Sequence, residues 1–506
     1  LKNHITLKIT NSSTFIIGSL SKEDYRIIKR SLSYLPENAI FMMKHVEEQN
    51  NNKWEWDGYI STVCYNKHHC RCSIKQDGMH FPTGLIGKVI VVLKKLQIPF
   101  NCTDVREKVF ASLKLSISDN FEFRDYQTDI VEKAIKQQRG IIKAATGSGK
   151  TAMAANIIAN LSIAPFIFYV PSIDLLNQAK NEIAKFIIEN NSSLEVGIIG
   201  GGYCDIKDIN VMTIQTAVRA VGAKYKKFDD EDSKEKDLNI EQKKDIKKLI
   251  MSAKGIIGDE TQHWASETCQ VISDYSVSAY YKYGISATPM RDKGDDLLIE
   301  ACFGKTIADI SASFLIEKGF LVKPHIYFVP VKHSRYNVKT YAKIYQKAIV
   351  ENTIRNEYIA QIAIHLAEKG KIILILCRHI AHGKILNEMI SGSVFLHGVH
   401  SGKARKEHLD KMRDKEVQVT ISTAIFDEGI DCRSLDALIL AGSGKSQTRA
   451  LQRIGRTLRT CLNKDSATVV DFDDDCKYLS IHSKKRKKIY RTEPAFEIEM
   501  LDEIQS

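Results

Sequence analysis

The sequence predicts an α/β protein: two tandem lobes, each built on a parallel sheet, behind a small α+β domain. Three observations predict it. From Phe121 onward, short apolar runs alternate with segments of helical spacing, the pattern of a parallel sheet covered by helices. A second series of the same kind begins near Leu321. The stretch Ala144-Ala145-Thr146-Gly147-Ser148-Gly149-Lys150-Thr151 sets two glycines between an apolar run and an Ala- and Ile-rich helical segment, which reads as strand, turn and helix start. At 506 residues the chain is too long for one core, so about three domains are expected, at 1–117, 118–320 and 321–506.

In the first domain, strands are expected at 5–9 and 14–18, an amphipathic helix at 22–32 and a hairpin-like run at 58–63. Trp54, Trp56, Tyr59 and Tyr65 interleave with Lys53, Lys67, His68 and Arg71, a mixture that suits either a core or a platform for splayed bases. Cys64, His68, His69, Cys70 and Cys72 crowd together, but Cys70-Arg71-Cys72 lacks the two-residue spacer of a zinc knuckle. A polar hairpin turn is the expectation there. In the first lobe, 165–170, 255–258 and 283–286 read as buried strands. The run 224–248 is dominated by Lys, Asp and Glu and is expected to be a solvated insertion. Strands of the second lobe are expected at 371–376, 394–397, 417–422, 437–441 and 467–471. The run 484–488, Lys-Lys-Arg-Lys-Lys, reads as a solvated basic tail.

With 43% hydrophobic and 26% charged residues the composition is that of a globular protein, and no run of about 18 apolar residues suggests a membrane span. A net charge of +12 favours a polyanionic partner. Eleven cysteines, an odd number and mostly scattered, argue for a reducing compartment. The Leu1-Lys2-Asn3-His4 start has no signal-peptide pattern.

Chemistry concentrates in three places. In the loop, backbone N–H groups of Gly147, Ser148, Gly149 and Lys150, with Thr146 before them, would face an anion at a helix start. Lys150 would reach β- and γ-phosphates and the Thr151 hydroxyl would hold Mg²⁺, although Ala144 stands where the strict phosphate-loop pattern has Gly. Asp259 and Glu260 follow an apolar strand, so both carboxylates emerge at its C-terminal end, one suited to the metal and one to a water. Arg453, Arg456 and Arg459 recur every three residues on a helix and can meet a γ-phosphate. Gly442-Ser443-Gly444-Lys445-Ser446 imitates a second phosphate loop but lacks the first Gly at the required spacing.

These stretches stand in order with Arg124-Asp125-Tyr126-Gln127, Val170-Pro171-Ser172, Thr213-Ile214-Gln215-Thr216, Ser286-Ala287-Thr288-Pro289, Ser422-Thr423, Asp427 to Asp431 and Gln452 to Arg459. The series resembles the superfamily 2 helicases and translocases over about residues 121–475. Trp56-Asp57-Gly58 and Phe81-Pro82-Thr83-Gly84-Leu85 resemble the front of the UvsW-type phage recombination helicases. The resemblance implies two RecA-like lobes, ATP and Mg²⁺ as cofactors, and ATP hydrolysis coupled to movement on DNA, 3′ to 5′ and with branched or forked substrates. It implies that Gln127 reads the adenine with Arg124 nearby, that Thr151 and Asp259 serve the metal, and that Glu260 serves the water. Ser286 and Thr288 couple the site to the strand track. Pro171, Ser172, Thr213, Thr216 and Thr423 meet the strand, Gly429 and Asp431 face the nucleotide, and Arg456 and Arg459 act as arginine fingers. Gln262 stands where many relatives carry His, which loosens the expected coupling. The same resemblance implies a monomer in the cytoplasm (the host's, for a viral chain) working beside recombination or replication proteins, with no membrane role. An RNA-dependent ATPase and a passive junction-binding protein with an inactive motor are the alternatives.

Overall fold

A computed structural model describes the chain except residues 1–3, 38, 40–41, 44–56, 66–77, 191, 223–237, 290–294, 334–335, 338–339, 399, 401, 424–433, 443, 445–450, 452, 456, 462–463 and 506. It divides into two compact units, residues 1–144 with 149–309 and residues 145–148 with 310–506.

The first unit is organised by an eight-stranded sheet in the order Tyr203–Asp205, Val196–Gly200, Ile209–Thr213, Phe166–Val170, Gly255–Asp259, Tyr281–Ser286, Arg139–Ala144, Thr306–Ile310. From Val196–Gly200 to Arg139–Ala144 every neighbouring pair is parallel. Phe166–Val170 is buried at all five positions, as a strand covered by helices on both faces must be. Helix Lys150–Leu161 is buried along most of its length, which explains its run of alanines: small side chains let it lie close to the sheet.

The run expected to be a solvated insertion differs from that expectation. Residues 240–248 belong to helix Ile240–Ser252, capped by the Asn239 and Gln242 side chains, and Ile246, Leu249 and Ile250 are buried in the lobe's core. One apolar stripe is enough to dock a helix whose other faces carry lysines. Residues 223–237 lie outside the described set.

The N-terminal module also belongs to the first unit. Its four-stranded sheet has the order His80–Pro82, Ser13–Ile17, Ile5–Ile9, Phe100–Asp104, and helices Lys22–Ser31 and Ile86–Lys95 pack on it. The module is fixed to the lobe by specific contacts. A Cβ on Gly84 would lie 2.0 Å from the Glu300 carbonyl oxygen, so only glycine allows the module's backbone to approach helix Asp296–Phe303 this closely. Lys88 pairs with Glu300 at 2.9 Å, the Arg139 guanidinium donates to the Asn11 carbonyl at 3.0 Å, and the Asn11 amide donates to the Val277 carbonyl at 3.1 Å. Of the aromatic and cationic residues considered for a base platform, Tyr59 lies under the Arg30 guanidinium and Tyr65 is exposed; Trp54, Trp56, Lys53, Lys67, His68 and Arg71 are outside the described residues. Cys64 is buried and its backbone pairs with His80, while His68, His69, Cys70 and Cys72 are likewise outside.

Lys282, beside Arg139, is fully buried and its ammonium donates to the Ser273 carbonyl at 3.1 Å. Burial, then the neighbouring Arg139, pull its pKa down to about 7. The unfolded chain therefore binds a proton that the folded chain has shed between about pH 7 and the ordinary lysine range. Stability rises with pH across that window, and below it the full cost of a buried ammonium is present. Lys282→Met is expected to stabilise the protein by on the order of 2 kcal/mol at pH 7 and to flatten that rise, as denaturant melts from pH 6 to 10 would show.

The second unit has an all-parallel sheet in the order Val394–Leu396, Val419–Ser422, Ile373–Leu376, Ala437–Ile439, Ser466–Asp474, Lys323–Lys332, Glu497–Met500, with Ile504–Gln505 also on Lys323–Lys332. All five strands expected from the sequence are present. Lys323–Lys332 and Glu497–Met500 are additions. The basic run 484–488 lies in helix Leu479–Tyr490, and Arg486 corrects its reading as a solvated tail. The Arg486 side chain is buried, with Nε 2.8 Å from Asp471 Oδ2 and Nη2 2.9 Å from the Phe472 carbonyl. Lys484, Lys485 and Lys488 are exposed. Among the described residues no helix is long and apolar enough to cross a membrane.

Candidate active site

The first lobe brings its predicted residues to one edge of the sheet. Register places Thr213 beside Val170, Asp259 beside Ile285 and Ser286 beside Lys143, all at the C-terminal ends of parallel strands. Ligands of open α/β sheets bind at that edge, because helices start there and present free N–H groups.

The loop after Arg139–Ala144 turns on two glycines in the left-handed region, Gly147 (φ 88°) and Gly149 (φ 81°), and Gly149 caps helix Lys150–Leu161. A Cβ on Gly149 would come within 2.3 Å of Gln127 Nε2. Gln127 is itself buried, and its Oε1 accepts from the Arg124 N–H at 3.0 Å, so the start of helix Asp125–Gln137 braces the glutamine against the loop. The Arg124 guanidinium donates to Tyr126 Oη at 3.1 Å.

Lys150 Nζ stands 3.7 Å from Glu260 Oε1, both side chains less than a fifth exposed. Glu260 adopts φ 46°, ψ 63°, a left-handed conformation costly for a branched-free but non-glycine residue, and its N–H donates to Asp259 Oδ1 at 2.9 Å. That turn sets Asp259 Oδ1 against the Glu260 backbone while the Glu260 carboxylate faces Lys150. Gln262 Nε2 donates to Glu260 Oε2 at 3.0 Å, Ser286 Oγ donates to Gln262 Oε1 at 2.6 Å, and the Thr288 N–H donates to Ser286 Oγ at 3.1 Å. Lys150, Glu260, Gln262, Ser286 and Thr288 thus form one continuous polar chain. Gln262, which replaces the expected His, has both ends of its amide engaged within this lobe. Ser286→Ala is expected to leave ATP affinity within about twofold while lowering turnover about tenfold, since it frees the Gln262–Glu260 arm and removes no group from the loop; KM and kcat measured separately check it.

The predicted strand contacts are more buried than their type suggests. Ser172 Oγ caps helix Ile173–Phe186, and the Gln215 amide donates to the Pro171 carbonyl at 2.6 Å. Thr213 and Thr216 are buried and their hydroxyls bond each other at 2.8 Å, so both hydroxyls are engaged within the lobe.

In the second unit, Thr423 directly follows strand Val419–Ser422 and is buried, while Arg459 is half-buried and its backbone bridges to Leu321. Gly429, Asp431 and Arg456 lie outside the described residues.

Residues 120–291 match the family described as the type III restriction enzyme res subunit, and residues 354–461 match the helicase conserved C-terminal domain. The chain is 28% identical to the DNA 3'-5' translocase XPB2 of Sulfurisphaera tokodaii over 70% of its own length and 83% of the relative's. It is 24% identical to the ATP-dependent DNA helicase uvsW of Enterobacteria phage T4 over 85% and 84% of the two chains. Among solved structures, the DNA-bound ATP-dependent type ISP restriction-modification enzyme LlaBIII shares the fold, with a TM-score of 0.54 at 14% identity over 82% of this chain and 34% of that one. The two parallel sheets are accordingly a pair of RecA-like lobes, and the chain belongs to superfamily 2 of the ATP-dependent helicases and translocases.

Proposed function

We propose that this chain is an ATP-dependent DNA translocase that remodels branched DNA, moving 3′ to 5′ along one strand. The observation that carries the reading is the polar chain from Lys150 through Glu260 and Gln262 to Ser286 and Thr288, at the sheet edge that also holds Pro171, Ser172, Thr213 and Thr216. It runs from the proposed phosphate-binding loop to Ser286 and Thr288, the residues proposed to couple hydrolysis to the strand. The names of the two curated relatives supply DNA as the polymer.

The residues fit ATP and Mg²⁺. Gly149 leaves clear the space a side chain would fill beside Gln127, and the Thr151 hydroxyl and Asp259 carboxylate are hard oxygen donors. Bound there, the metal neutralises charge on the phosphate oxygens. Thr146, Gly147, Ser148, Gly149 and Lys150 hold the phosphates. Gln127 and Arg124 select adenine. Glu260, oriented by Gln262 and Ser286, accepts the proton of the attacking water at Oε1 or Oε2. Among the second-lobe residues, Gly429 and Asp431 are proposed to serve the nucleotide, Arg456 and Arg459 the developing charge, and Thr423 the strand. Closing and opening of the lobes then moves the strand by a step.

Incubation of the full chain with a labelled four-way junction, ATP and Mg²⁺ tests the reading. Branch-migrated products that require hydrolysable ATP are expected. Junction binding with no ATP-dependent product would replace the reading with passive recognition.

A further inference from the structure

At the opposite edge of the first lobe's sheet, two adjoining hollows of about 560 and 480 Å³ share Val277 and Ser278 in their walls. Topology places them. Ala164 precedes strand Phe166–Val170, Lys254 precedes Gly255–Asp259, and Val277 and Ser278 precede Tyr281–Ser286. These are the N-terminal ends of the strands, roughly 16 Å along a five-residue strand from Asp259. The first hollow is completed by Asn11 and by the segment from Val105 to Phe110 that leaves the N-terminal module, the second by the end of helix Ile240–Ser252.

The charge of this surface is one-sided. Arg106, Lys108, Lys244, Lys247, Lys248 and Lys254 line the hollows, and Glu107 is the one carboxylate among the lining residues. Arg106 is neutralised by Asp104 at 2.7 Å, but among the described residues none of the five lysines forms an ion pair. Lys247 instead rests 4.7 Å from the centre of the Tyr275 ring. Phe110 stands 79% exposed beside them, a large aromatic face with no packing role. Lysines with an exposed aromatic among the lining residues match a sugar-phosphate backbone and its bases better than an acidic peptide, which offers no flat ring to stack.

We infer that this surface is a second nucleic-acid site, distinct from the strand track, which holds another arm of the branched DNA by its phosphates. The inference rests on DNA being the partner proposed above. The first lobe then grips two arms at opposite edges of one sheet, and the N-terminal module contributes to the second grip through the segment from Val105 to Phe110. This gives the module a part in junction selectivity that requires no motion of its own.

The test is the triple variant Lys108→Glu, Lys244→Glu, Lys248→Glu of the full chain, at three exposed positions outside the proposed catalytic residues. Binding of a labelled four-way junction and of a short single strand is measured by anisotropy across a salt series. Junction affinity is expected to fall at least about tenfold at fixed salt, and the slope of log K against log salt to become shallower by about 2 to 3, at 0.9 per lost phosphate contact. Short-strand affinity and strand-stimulated ATP hydrolysis are expected to stay within about twofold. Unchanged junction affinity and slope overturn the inference, as does an equal loss for junction and short strand. Loss of polyglutamate binding with junction binding intact would assign the surface to an acidic protein and also overturn it. Because the readout is binding, failure of the translocase reading shows separately, as absent DNA stimulation of ATP hydrolysis in the parent chain.

Discussion

Lys150→Ala and Glu260→Gln each abolish measurable ATP turnover, a loss of at least about 10³-fold, while binding to single-stranded DNA stays within about twofold. The two variants separate by their effect on nucleotide. Lys150 sits at the helix start and is proposed to hold phosphate, so its loss weakens ATP binding as well. Glu260 contributes no group to the loop; Gln keeps its bond to Gln262 within reach and removes only the basic oxygen. Equilibrium binding of a fluorescent ATP analogue distinguishes them: weakened by about tenfold or more in Lys150→Ala, near normal in Glu260→Gln. Retained hydrolysis in Glu260→Gln would remove that carboxylate from the role of base.

The second large effect is on stability and arises in the other lobe. Arg355, Asp474 and the His333 side chain are fully buried. Arg355 Nε donates to Asp474 Oδ1 at 3.1 Å, its Nη1 donates to the Ala441 carbonyl at 2.9 Å, and its guanidinium lies 4.2 Å from the centre of the Phe472 ring. Arg355→Leu strips the carboxylate of its guanidinium partner in a water-excluded setting and leaves a carbonyl without its donor. A loss of about 3–5 kcal/mol is expected, read as a lowered denaturant midpoint. Arg413→Leu, which removes an exposed pair with Asp410, is the control and should cost no more than about 1 kcal/mol. Equal effects from the two would show that burial of the Arg355 cluster is not what makes it costly to break.

Much of the fold was legible because parallel strands covered on both faces read as uninterrupted apolar runs. Phe166–Val170 and Gly255–Asp259 are of this kind, and both coincide with their expected runs to within a residue. Strand Lys323–Lys332 hid behind Pro324 and Pro330, which ordinarily argue against an interior strand. Its outer neighbours resolve the conflict: they pair with residues 325–328 and 331–332, so both prolines fall where the outer edge is interrupted and no N–H is required. Charge was misleading in two places for one reason. Arg486 and Ile246 lie in charged runs, and a run's composition does not reveal that one residue in it faces a buried Asp471 or that another docks its helix on a core. The site was legible residue by residue, since Lys150, Glu260, Gln262 and Ser286 each end or follow a recognisable element. Their connection was not, because it depends on the left-handed turn at Glu260 and on which sheet neighbours stand side by side.

Whether the chain is a motor for branched DNA is decided by ATP hydrolysis of the full chain, at one fixed salt concentration, with matched single-stranded, blunt-duplex, forked and four-way DNA and with RNA. Fixed salt is essential because phosphate-driven affinity falls steeply with ionic strength. Hydrolysis is expected to depend on DNA and to be highest with forked or four-way substrates. Hydrolysis stimulated by RNA and indifferent to DNA would contradict that reading.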